Sequence, residues 1–149
     1  MKTLITLFVG SLLCAELSAY AEKIDPAKLP PPSSRKDVVF DKDIRPLFEA
    51  SCTLCHSGDH AKEGLHLDTI EGALKGGKHG LAIKPGKSAE SSLVLAISQL
   101  DPRSMMPPKP HVQEAAPDAG KKKKRSFIPQ PLTAEQVGLV RAWIDLGAK

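Results

Sequence analysis

Large aromatic side chains are nearly missing from this chain: Phe, Trp and Tyr together make up 4% of it. After residue 21 only Phe40, Phe48, Phe127 and Trp143 remain. With so few bulky, rigid groups, a chain of this size has difficulty building a self-sufficient core. Aliphatic residues can make up the shortfall, and so can a large apolar cofactor. Cysteine is scarce too, at three, which excludes a disulfide-dense scaffold. No segment alternates apolar and polar residues for long, so strands are not expected and the domain reads as all-α. No apolar run is long enough to cross a bilayer comfortably.

What is present begins with the features of an export signal. Lys2 gives a short positive start, residues 4–15 an apolar stretch, and Ala19-Tyr20-Ala21 a small-x-small cleavage site, so residues 1–21 read as a signal peptide. A lipoprotein built on Cys14 needs a small residue before that cysteine, and Leu13 is not small. Removal of the signal takes Cys14 and leaves Cys52 and Cys55 as the only cysteines. Lys2 and Glu16 leave together, so the formal charge stays at +4. The expectation is one exported domain, periplasmic or otherwise outside the cytoplasm, with no integral membrane span after cleavage.

Residues 22–36 contain Pro26, the run Pro30-Pro31-Pro32 and Ser33-Ser34; they cannot be helical and read as an extended linker. The domain then occupies residues 37–149. Asp41 can cap a helix running to about Ala50 with Ile44, Leu47 and Phe48 on one face, and Pro46 argues for a late start or a local bend. Asp68 or Thr69 can cap a short helix that stops at Gly76-Gly77. After a turn at Lys84-Pro85-Gly86-Lys87, Ser88 can cap a third helix with Leu93, Val94 and Ile97 inward. The last helix opens at Thr133 with Gln136 three residues on, a capping-box pattern. It carries Val137, Val140, Ala142, Trp143 and Ile144 and stops at Gly147. Between the third and last helices, proline, alanine and lysine dominate an insertion at about 109–131 that reads as a surface loop.

The stretch SCTLCHSGDH, residues 51–60, concentrates the chemistry. Cys52, Cys55, His56 and His60 are the ligand types of a zinc site. The second cysteine and first histidine are neighbours, however, with no segment between them to let ligands converge. His66, His79 or His111 could complete a looser site, though no second cysteine pair exists. A thioredoxin-like disulfide needs strands between helices, which are not expected here. The third reading of Cys-x-x-Cys-His is covalent haem. Two thiols about one helical turn apart can add to the two vinyl groups, and His56 then faces the iron from the proximal side. Export agrees, since such haem is attached outside the cytoplasm.

A distal ligand is offered by Ser104-Met105-Met106-Pro107-Pro108. A thioether is a soft, neutral ligand, and His/Met ligation is usual in electron-transfer cytochromes. The two prolines stiffen the loop that must hold a weak iron–sulfur bond. Met106 is the favoured ligand and Met105 the next candidate; the plain alternative is that both are apolar loop residues. His79 would give bis-histidine ligation, or it is a solvated turn residue, as His60, His66 and His111 can also be.

The segments FDKDIRPLFEASCTLCHS, GLHLDT, GALKGG, PGKSAESSLVLAI, MMPP and LTAEQVGLVRAWIDLGA follow one another in that order. With them, residues 39–148 resemble a small class I cytochrome c, and more narrowly a planctomycete-type cytochrome c domain. The resemblance implies one haem c bound covalently by Cys52 and Cys55, His56 as its proximal ligand and Met106 as its distal one. It also implies that the first and last helices pack across each other beside the haem, with Phe48 and Trp143 at the crossing. The family's methionine loop usually runs quickly into the last helix, so the insertion at about 109–131 is a departure.

The protein so expected is a monohaem c-type cytochrome that carries single electrons between redox partners and is not an enzyme in the bond-making sense. A haem-based ligand sensor or peroxidase-like subunit with a labile distal ligand is the alternative; haem that merely organises a poor core is another. The run Lys121-Lys122-Lys123-Lys124-Arg125 reads either as a solvated loop or as a patch that steers an acidic redox partner. Export disfavours nucleic acid as its target, and no amphipathic helix accompanies it to favour a membrane surface.

Overall fold

Pro46 decides where the first helix begins. Proline has no N–H to give to a helical ladder and is tolerated only in the first turn. In the computed structural model, which describes residues 24–108 and 129–149, Pro46 sits in the first turn of α1, Arg45–Ser51. The residues before it, Phe40–Ile44, form a wide π-type turn, which is the bend the proline calls for. Asp41 does not act as the cap. It pairs instead with Arg45 at 2.5 Å. The wide turn brings Asp43 beside the free N–H of Val39, whose donor it accepts at 2.9 Å, while Arg35 donates to its other oxygen at 2.8 Å.

Among the described residues three further α-helices follow: α2, Ile70–Lys75; α3, Ser92–Ile97; and α4, Ala134–Asp145. Among the same residues the one sheet-like feature is an isolated bridge between Gly77 and Gly80. The all-α expectation therefore holds. Thr69 caps α2 by accepting the Gly72 N–H at 3.1 Å. Gly76 ends it at φ 78°, where a Cβ would collide with the Gly80 carbonyl oxygen. In α4 both halves of the capping box form, with Thr133 N–H on Gln136 Oε1 at 2.8 Å and Gln136 N–H on Thr133 Oγ1 at 3.3 Å.

Ser88 departs from its expected role. It opens a short 3-10 turn, Ser88–Glu90, and leaves α3 without a side-chain cap. Its N–H and Oγ both donate to the Asp145 carboxylate, at 2.8 and 2.9 Å. Ser88 is buried, and a charged acceptor at the end of α4 outbids the N–H groups of a nearby helix. These bonds lock the approach to α3 onto α4.

Phe48 and Trp143 are fully buried and meet edge to face with ring centroids 6.5 Å apart. Phe40 completes the cluster at 6.2 Å from Phe48 and 5.5 Å from Trp143. Three of the few aromatics are thus spent at one point, where each adds to its burial the quadrupolar fit of tilted rings. Trp143 satisfies its indole N–H on the Lys149 carbonyl at 3.0 Å.

The proline-rich stretch, expected to be non-helical, opens with a short 3-10 turn at Pro26–Lys28 that Asp25 caps by accepting the Ala27 N–H, because proline suits a first helical turn. Only beyond it does the chain run without helix, and it lies on the domain and does not lead away from it. Leu29 is buried in the core, the Ser33 N–H donates to the Gly138 carbonyl at 2.8 Å, and the Arg141 guanidinium donates to the Pro30 carbonyl. The Asp25 and Pro26 carbonyls find partners inside the stretch, on the Lys28 and Leu29 N–H groups, whereas the Pro30 carbonyl takes its donor from α4. Packing therefore begins ahead of the boundary expected near residue 37.

Candidate cofactor site

The cysteine motif continues the turn on which α1 ends. The Cys52 N–H closes on Phe48 O at 2.7 Å, and the N–H groups of Cys55 and His56 both reach Cys52 O at 3.0 Å. One turn of backbone thus carries both thiols and the imidazole. The following loop folds back over it: Lys62 N–H donates to Cys55 O and Leu67 N–H to His56 O, each at 2.8 Å. Cys52, Cys55 and His56 line a cavity of about 500 Å³, within the ~300–1,000 Å³ range of cofactor and small-molecule sites. Its walls are largely apolar, with Leu65, Leu67, Ala82, Leu93, Ala96 and Ile97 from the loop and from α3.

The donors are in the states that thioether attachment and iron ligation use. Cys52 and Cys55 are free thiols, and burial pushes the Cys52 thiol up to about 12, which keeps it protonated and a poor partner for disulfide exchange. His56 is half-buried; burial pulls its pKa below the ordinary imidazole value and holds the ring neutral, with a lone pair available. Its Nδ1 is buried, and the backbone of Leu65 and Lys62 in the loop that folds back over the motif lies close to the ring. These residues fit a haem. By contrast, among the described residues no group of three or more His, Cys, Asp or Glu side chains converges as a metal site, so the zinc set is not assembled.

Met106 lines the same cavity, with Pro107 and Pro108 after it, and is 41% exposed. Met105 points elsewhere: it is buried and is not among the cavity residues. His79 also lines the cavity, with Nε2 3.3 Å from Glu63 Oε2. His60 and His66 do not; His66 lies 3.8 Å from Asp68. His111 and the basic run at 121–125 lie outside the described residues. Phe48 and Trp143 are not among the residues that line the cavity and form the core beside it.

Two residues that matter here carry no sequence signal. Ala96 accepts the Met106 N–H at 2.9 Å, and the Gln99 amide donates to the Met106 carbonyl at 2.6 Å. Neither belongs to a motif; only the return of the methionine loop onto α3 reveals them.

A thiol pair one turn apart, an adjoining neutral imidazole and a thioether on one apolar cavity make up the donor set of a c-type cytochrome domain. In agreement, residues 52–110 match the family model described as Planctomycete cytochrome C, which supports a planctomycete-type cytochrome c domain over that stretch. The match runs from the first cysteine of the motif to just past the methionine loop. No curated protein and no solved structure gives a significant match. No helix among the described residues is long and apolar enough to cross a membrane.

Proposed function

We infer that this is an exported, periplasmic monohaem c-type cytochrome that carries single electrons between redox proteins and makes or breaks no substrate bonds. The observation that carries the reading is the gathering of Cys52, Cys55, His56 and Met106 on one apolar cavity. When bound there, haem c supplies one-electron exchange between ferrous and ferric iron. Cys52 and Cys55 would hold the porphyrin through thioether bonds, and His56 and Met106 would supply its iron with an imidazole and a thioether ligand. Leu65, Leu67, Leu93 and Ile97 keep water from the ring and lower the local dielectric, which tunes the potential. Lys62 and Lys78 on the same cavity support a partner with an acidic docking face.

The test is the intact mass and the reduced-minus-oxidised spectrum of protein made in a haem-maturing host. The expected result is the mass of one added haem and a low-spin, six-coordinate iron in both states. A colourless product with the mass of the bare chain overturns the reading. The 41% exposure of Met106 favours a second one, a ligand sensor whose sixth position opens. Carbon monoxide separates the two: the ferrous carrier binds it slowly, the sensor rapidly.

A further inference from the structure

The loop that carries Met106 is fastened on both sides of that residue. Its N–H donates to Ala96 O at 2.9 Å, and its carbonyl accepts from Gln99 Nε2 at 2.6 Å. The same nitrogen lies 3.4 Å from Pro107 O. Ala96 and Ile97 line the cavity, so the first bond ties the thioether-bearing residue to the helix that forms the cavity wall, and the second ties it to the turn that follows that helix. Gln99 follows α3 at φ 57°, a left-handed backbone that a side chain such as glutamine rarely adopts. Glycine or asparagine would sit there with less strain. Glycine has no amide to offer, and asparagine's is one methylene short.

We propose that Gln99 is a positioning residue for Met106, its side-chain amide clamping the methionine loop against α3 so that the thioether stays at the cavity. The proposal rests on the haem reading above. A thioether is a weak ligand whose hold depends on how little freedom the loop must lose when the bond forms. Ferric iron is the harder ion and binds soft sulfur less well, so loosening shows first in the oxidised protein.

Two variants of the haem-loaded protein test it. Gln99→Gly removes the amide and relieves the left-handed backbone, so its denaturation midpoint stays at or above that of the unaltered protein. Gln99→Glu keeps the size but replaces the donor by a carboxylate facing two carbonyl oxygens. In both, the methionine–iron charge-transfer band of the ferric form weakens, and the Met106 amide exchanges its hydrogen faster. Carbon monoxide binds the ferrous form about tenfold faster, the factor that corresponds to ~1.4 kcal/mol and to one lost hydrogen bond. If band, exchange and binding rate are unchanged in both variants, Gln99 is not a clamp, whatever ligates the iron. If the unaltered protein lacks the band, or Met106→Ala leaves the spectrum as it was, Met106 ligation itself fails and the clamp with it.

Discussion

Met105 and Met106 are neighbours in sequence with opposite surroundings. Met105 is 8% exposed, while Met106 is 41% exposed and lines the cavity. On the proposed ligation, Met106→Ala should open the sixth position of the iron, giving a high-spin ferric spectrum and fast carbon monoxide binding at little cost in folding. Met105→Ala should do the reverse. It leaves the spectrum unchanged and lowers unfolding free energy by ~2–5 kcal/mol, as deletion of a buried methionine side chain does. Guanidinium titrations of the two variants, read alongside their spectra, check the pair; a high-spin Met105→Ala protein would exchange the roles. Sequence could favour Met106 from the prolines that follow it, but burial is what separates two identical side chains, and burial is a property of the folded loop. Cys52, Cys55 and His56 were legible because one turn of backbone places all three.

At the scale of elements, local signals were read correctly where their partners are local. Thr133 and Gln136 find each other within one turn, as do Thr69 and Gly72. Asp41 and Ser88 went elsewhere because a wide turn and a distant carboxylate offered better partners. Asp43 carries a consequence for acid stability. The Val39 N–H first, and then the Arg35 guanidinium, hold its carboxyl below the usual carboxylate range. Because the folded value is the lower one, this contribution is present above the ordinary aspartate pKa and is lost as pH falls through the folded value. Asp43→Asn should therefore flatten the fall in denaturation midpoint as pH drops below the ordinary aspartate pKa of ~3.9; an unchanged profile would dismiss the interaction. Gly138, within α4, gives a prediction opposed to propensity. Glycine to alanine in a helix interior ordinarily stabilises by ~1 kcal/mol. Here the new Cβ would lie 2.6 Å from Pro31 O, so Gly138→Ala should destabilise by pushing the proline-rich segment off the helix. A rise in melting temperature would show that the segment yields freely.

At the scale of the whole molecule, a cavity of about 500 Å³ beside a three-ring aromatic cluster means that the polypeptide leaves a large apolar wall to be covered. A ligand that binds only the folded state adds its binding free energy to stability. Protein made without haem maturation should accordingly unfold at markedly lower denaturant than the loaded form, as followed by Trp143 fluorescence or circular dichroism; equal midpoints would mean the core needs no cofactor. Deletion of residues 109–130 should weaken the salt dependence of electron transfer to an acidic partner if the basic run steers docking, and an unchanged dependence would assign the run to solubility. By itself the sequence determined the helical class, the helix stops and the attachment turn, because each depends on residues within a few positions of one another. Only the tertiary structure decided that the segment from Leu29 to Ser33 lies against the core and α4, that Met106 and not Met105 shares the cavity, and that the Gln99 amide meets the Met106 carbonyl. Those contacts join different elements, follow from how a loop turns back on its helix, or discriminate between like neighbours, and no local pattern encodes which surface a segment will meet.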